Sequence, residues 1–228
     1  ASFTEDGMAF GILALALTAV LSGCGTPTAT PEPTPARSEG VPGPTLFETA
    51  WRDPGPFLVG LVESQAESLN ALPAATVYHL DLDLSADLTV VEGIEEILYT
   101  NNEAAPLDQI ALHLYPNLLG GEMEVESVHL NGEGVTPHEG EAGGWMMVPL
   151  GNGLAPGESV VLRLKFSVRV PQELDLNYGV LASTSGVLAY AHASPTVADS
   201  DAARGAVAIP APDGDLTYAD AALFLVRV

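Results

Sequence analysis

Apolar and polar residues alternate most strictly over residues 159–170. There Val160, Leu162, Leu164, Phe166, Val168 and Val170 are separated by positions that include Arg163, Lys165, Ser167 and Arg169. A period of two predicts a β-strand with one buried face, whereas a helix would scatter the same residues around its circumference. Pro171 follows and ends the strand, because proline has no backbone donor for a ladder.

The same pattern recurs along the chain. Residues 76–85 alternate Tyr78, Leu80, Leu82 and Leu84 with His79, Asp81 and Asp83, predicting a strand with a wet outer face. Residues 88–99 read as a second strand with a bulge at Gly93, closed by Asn101 and Asn102. Ile110, Leu112 and Leu114 mark a third that stops at Pro116. Met123, Val125, Val128 and Leu130 mark a fourth, ended by the turn dipeptide Asn131-Gly132. Residues 145–150 form a fifth, and the glycine-rich run 151–157 turns the chain into the strand at 159–170. Residues 177–190 read as a hairpin around 183–186, and residues 222–228 as a last strand. The fold class is all-β, with its β domain over 75–228.

Three segments precede that domain. From Met8 an apolar run, too short to span a bilayer comfortably, ends in small residues and reads as the core of a signal peptide over 1–24. Its ending, Leu21-Ser22-Gly23-Cys24, resembles the bacterial lipobox, which implies a Cys24 thiol carrying a diacyl anchor and an exported protein held on the outer face of the membrane. A buried apolar helix with an incidental cysteine is the alternative. Residues 25–45, rich in Thr, Pro, Ala and Glu, lack the apolar surface to offset their ordering entropy and read as a disordered or polyproline-like linker. Residues 46–74 form a lead-in, in which Ser64 and Glu67 have capping-box spacing ahead of a short helix over 65–72.

Composition adds two exclusions. Thirty acidic against seven basic residues give a net charge of -23, whose field repels nucleic-acid phosphates and anionic headgroups. Cys24 is the single cysteine, so neither an intrachain disulfide nor a cysteine metal site can form.

The candidate chemistry is sparse. His79 and His113 fall on outer strand faces, and His129, His138 and His192 are scattered without ligand spacing, so all five read as exposed histidines. Asp81/Asp83 and Glu95/Glu96 have the look of acid-base pairs or calcium ligands, but thirty acidic residues produce such pairs by chance, and a calcium site needs a loop that bends several oxygens round one point. No H-E-x-x-H, G-x-S-x-G, phosphate loop or dinucleotide fingerprint occurs. Nothing in the chain, residue by residue, builds an active site.

Seven strings in order carry a family resemblance. They are Y-H-L-D-L-D-L at 78–84, V-E-G-I-E-E-I-L-Y-T-N-N at 91–102, L-H-L-Y-P-N at 112–117, V-H-L-N-G at 128–132, L-A-P-G-E-S-V-V-L-R-L-K-F at 154–166, Tyr178-Gly179, and G-D-L-T-Y-A-D-A-A-L-F-L-V-R-V at 214–228. Together they resemble the N-terminal β domain of aminopeptidase N-type zinc metallopeptidases, the gluzincins. The resemblance implies a curved, saddle-like antiparallel β-sandwich that covers one side of a catalytic domain. It also implies that zinc, the H-E-x-x-H and the grip on a peptide's free amine belong to that catalytic domain, beyond this chain. Gly121-Glu122-Met123-Glu124-Val125 is similar to the family's G-x-M-E-N signature but falls in a strand of the wrong domain. In the family a loop after the hairpin approaches the substrate amine. The matching stretch here is 191–195, where His192 is the one substrate-facing candidate.

The expectation is therefore a non-catalytic domain. It would have no catalytic residue and no cofactor of its own, and its partners would be the catalytic domain of the same polypeptide, that parent's peptide substrate, and the membrane through Cys24. A stand-alone lipoprotein β-sandwich acting as a binding or adhesion module is the alternative.

Overall fold

A computed structural model describes residues 46–140, 143–174, 177–198 and 220–228. The signal segment, Cys24 and the linker lie outside these residues.

Among the described residues twelve strands follow the lead-in: β1 (Thr76–Leu84), β2 (Val90–Thr100), β3 (Leu107–His113), β4 (Glu122–Leu130), β5 (Glu133–Val135), β6 (His138–Glu139), β7 (Trp145–Leu154), β8 (Ser159–Arg169), β9 (Leu181–Thr184), β10 (Val187–Tyr190), β11 (Thr196–Val197) and β12 (Ala222–Arg227). They build a six-stranded sheet in the order β12-β1-β2-β8-β4-β5, a four-stranded sheet β11-β3-β7-β6, and the β9-β10 ribbon. Tyr78, Ile97, Leu162 and Leu164 from the larger sheet share one hydrophobic core with Ile110, Leu112, Met146 and Val148 from the smaller. The architecture is the all-β, sandwich-like one predicted.

The alternation in β8 is realised residue by residue. Leu162, Phe166 and Val168 are fully buried and Leu164 nearly so, while Arg163, Lys165 and Arg169 face solvent. Each such buried side chain contributes roughly 2 kcal/mol of transfer free energy, which makes β8 an anchor for both of its neighbours. On the polar face Arg163 pairs with Glu96, Lys165 with Glu126 at 2.6 Å, and Arg169 with Glu122 at 3.2 Å.

Four sequence expectations change. Gly93 forms no bulge: it keeps regular register with Leu82 on one side and Phe166 on the other, because the Phe166 ring occupies the space where a side chain would sit. β7 runs on through Gly151 and Gly153, both at positive φ, and the irregularity falls where β3 shifts register between Leu107 and Gln109. The sheet is not wholly antiparallel, since β12 joins the edge of β1 in parallel register from Thr76↔Ala222 to Asp81↔Arg227. The helix expected at 65–72 is a 3₁₀ helix at Glu63–Ala71 whose start at Val62 has no side-chain cap, so the Ser64/Glu67 box is not formed.

Candidate functional site

The last turns of the lead-in, the start of β1, the end of β2, the 191–198 segment and the start of β12 enclose a cleft of about 640 Å³. Aromatic rings from four places form its walls: Tyr78 of β1, Tyr99 of β2, Tyr115 after β3 and Phe224 of β12. Tyr78 and Phe224 are stacked, with ring centroids 4.4 Å apart, across the parallel β1–β12 pair. Asn102, Glu103 and Asp220 supply polar groups to the lining.

His192 belongs to this cleft. It sits at the tip of the segment after β10 with φ +53, a left-handed conformation that costs a residue with a Cβ but exposes its ring. The ring meets the edge of Tyr115 at 5.7 Å, and Tyr115 in turn stacks on His113 at 4.7 Å. Partial burial pushes the His192 imidazole below its ordinary value and favours the neutral ring.

Two histidines expected in solvent are buried. His79 and His113 are 1% and 4% exposed, and desolvation lowers both their pKa values. Both do lie on outer strand faces. His79 is covered by Trp51 of the lead-in, stacked with ring centroids 4.2 Å apart, and His113 is covered by Tyr115. His138 is exposed and His129 half-buried.

The acid pairs also come apart. Asp81 is held by Arg227, whose hydrogen bonds keep its carboxyl below the usual range, and Asp83 is exposed. Glu96 faces outward to Arg163, but Glu95 points into the core and is 0% exposed. Neither oxygen of the Glu95 carboxyl has a hydrogen-bond partner. Burial raises its pKa well above the ordinary 4.5, and the nearby Ser194 hydroxyl only partly counters this. A signal for this position exists in the sequence: Val91, Gly93, Ile97 and Tyr99 share its parity, so Glu95 belongs to the buried face of β2.

Among the described residues no group of three or more His, Cys, Asp or Glu could hold a metal ion, so the donor set does not fit zinc. The described cleft lining contains no Ser, Cys or Lys to act as a nucleophile. Of the rings in that lining Phe224 and His192 are the exposed ones, while Tyr78, Tyr99 and Tyr115 are buried.

Comparison with known proteins adds little about function. No protein-family model and no curated protein matches the chain. Among solved structures it is similar to a two-domain M1 zinc metallopeptidase bound to L-tryptophan, at 23% identity and TM-score 0.36, over 43% of this chain and 21% of that one. It is likewise similar to the M1 zinc metallopeptidase from Deinococcus radiodurans, at 22% identity and TM-score 0.35, over 44% of this chain and 22% of that one. The aligned region thus spans about a fifth of each of those proteins. Gly121–Val125, the string similar to G-x-M-E-N, lies at the start of β4, where Glu122 is engaged with Arg169.

Proposed function

We propose that residues 75–228 serve as the non-catalytic N-terminal β domain of a cell-envelope zinc metallopeptidase, whose bond-breaking groups lie in a separate catalytic domain. The observation that carries this reading is the order of the family-like strings. Six of the seven fall in turn on β1, β2, the end of β3 and the turn after it, the β4–β5 turn, β8 and β12, and Tyr178-Gly179 lies just before β9, so that the resemblance largely follows the framework of the sheets. Two of the strings also contain the asparagines that fasten loops to those sheets. Asn101 donates to the Leu154 carbonyl at 2.8 Å, and Asn117 donates to the Gly143 carbonyl at 2.7 Å. In this reading the cleft beside His192 faces a peptide that the catalytic domain cleaves. The lead-in and Cys24 would tether the domain to the outer face of the membrane through a thiol-linked lipid. Among the described residues no helix is long and apolar enough to cross a membrane.

The test begins with the coding sequence after Val228. An open frame carrying H-E-x-x-H is expected there, and a stop codon at that point overturns the proposal. The purified 228-residue chain is expected to hydrolyse no peptide, and chelator-sensitive hydrolysis by it would equally overturn the reading. Mass spectrometry of Cys24 tests the anchor separately, since a free thiol rejects it.

The second reading, a stand-alone binding module, draws on the cleft itself, whose described lining combines aromatic residues with no Ser, Cys or Lys. Saturable binding of small aromatic ligands by the isolated chain, abolished by Tyr115→Ala and accompanied by a stop codon after Val228, would favour it.

A further inference from the structure

Glu95 stands alone in the core. Its cross-strand neighbours are Leu80 on β1 and Leu164 on β8, both apolar, and neither oxygen of its carboxyl has a hydrogen-bond partner. The groups that surround it from the other elements are few. Tyr78 on β1 and Tyr190 on β10 lie near enough to feel its charge, and Ser194, from the segment between β10 and β11, lies beside it. The facing positions of the smaller sheet, Ile110, Leu112, Met146 and Val148, carry no titratable group. No cation is therefore at hand among the described residues to neutralise an ionised Glu95.

The two tyrosines are also the fasteners of the segment that bears His192. The Tyr190 hydroxyl donates to the Ala193 carbonyl at 2.8 Å, and the Tyr78 hydroxyl accepts from the Val197 amide at 3.0 Å. Ala193, Ser194 and Pro195 are buried between these points, with Ser194 beside the Glu95 carboxyl. Beyond these side-chain contacts the strap is held by the two-residue β11–β3 ladder, Thr196↔His113 and Val197↔Leu112, and by backbone bonds from Ala191 to Val180 at 2.9 Å and from Ala198 to Ala111 at 2.9 Å.

We propose that Glu95 is a proton-operated latch on the 191–197 strap: with its carboxyl neutral the strap lies down and His192 is set in the cleft wall, and with its carboxyl ionised the strap lifts to admit water. The step involves one proton, lost from the Glu95 carboxyl to solvent, and water replaces Ser194 and its neighbours as the carboxylate's surroundings. An unpaired carboxylate sealed in an apolar core costs more than opening a short strap whose ladder is only the two-residue β11–β3 pair, so the strap is the part that yields. Burial's upward push on the Glu95 pKa is in accord with this geometry. The inference does not depend on which enzyme or partner the domain serves.

The test is amide hydrogen exchange on the full chain from pH 5 to 9, corrected for intrinsic exchange, in the wild type and in Glu95→Gln. If opening requires ionisation, the opening constant at Val197 rises up to tenfold per pH unit in the wild type and is flat in Glu95→Gln. Amides within β8 are expected to show no such slope. Equal slopes at Val197 and in β8 would mean global loosening and overturn the latch, as would a flat Val197 profile in the wild type. Titration of the Glu95 carboxyl carbon by NMR in the wild type keeps the proposal testable if Glu95→Gln does not fold, since a midpoint near the ordinary 4.5 refutes it.

Discussion

Phe166 of β8 lies against the bare α-carbon of Gly93 across the β2–β8 ladder. A Cβ built at 93 would overlap three atoms of the ring, with Cε2 at 2.8 Å and two others nearer still. Phe166 is fully buried, so the ring has nowhere to go. Gly93→Ala is expected to lower stability by about 2 kcal/mol or more, read as a shift in urea midpoint. Adding Phe166→Leu should recover part of that loss in a double-mutant cycle, and strict additivity would refute the contact.

Stability should depend on pH through two opposing groups. Glu95 has a raised pKa in the folded protein, so the fold holds an extra proton there. Its contribution is complete below about 4.5 and is lost as pH rises toward the folded pKa, at up to ~1.4 kcal/mol per pH unit. His79 and His113 have lowered values, so their contributions are complete above about 6.5 and are lost as pH falls. The two slopes oppose each other between these values. Denaturation midpoints for Glu95→Gln should therefore gain most over wild type on the alkaline side, and His79→Phe should lose its share of the acid-side decline, leaving that of His113, while keeping a ring beneath Trp51.

Trp51 and His79 stack within 7° of parallel, and this contact joins the lead-in to the outer face of β1. Arg163 adds to it by lying 4.9 Å above the ring of Phe47. Trp51→Ala is expected to cost about 2–4 kcal/mol and to move the His79 titration, followed by NMR, back toward its ordinary value. An unchanged His79 pKa would show that something other than Trp51 desolvates it.

Asn177 is buried and makes three bonds, donating to the carbonyls of Leu119 at 2.6 Å and Leu181 at 2.8 Å and accepting from the Leu181 amide at 3.2 Å. Asn177→Ala would strand those carbonyls and is expected to cost roughly 2 kcal/mol. Asn117→Ala, which strands the Gly143 carbonyl and the Met123 amide, should fall in the same range. Melting temperatures of the two variants check this.

Alternation made the strands legible, because one buried face imposes a period of two wherever a strand packs on a core. It could not show what covers the other face. His79 sits on the outer side of β1 as its parity requires, yet it is buried, because a separate segment 28 positions earlier lays Trp51 over it. Glu95 was hidden differently: its parity put it inside, but a carboxylate is the residue type least expected there, so composition argued against pattern and pattern was right. The 3₁₀ geometry of Glu63–Ala71 was out of reach for a related reason. Capping-box spacing specifies which bonds are possible, and Val62 in extended conformation leaves Ser64 inside the helix rather than at its cap. His192 was singled out only through the resemblance, and the aromatic residues that line the cleft with it come from four distant stretches that no local pattern links.

The parallel pairing of β12 with β1 sets a kinetic problem for the chain. Asp81 and Arg227, at one end of that ladder, are 146 positions apart, whereas β1 and β2 are joined by a five-residue turn over 85–89. Closing the longer loop costs about 3 kcal/mol more in chain entropy than closing the shorter one. β1, β2 and β8 can therefore assemble while the edge beside β1 is still bare, and for that interval Tyr78 waits without Phe224 against it. Docking of β12 is therefore expected to be slow relative to the β1–β2 hairpin, and until it occurs the bare edge of β1 is open to a stray strand from another molecule.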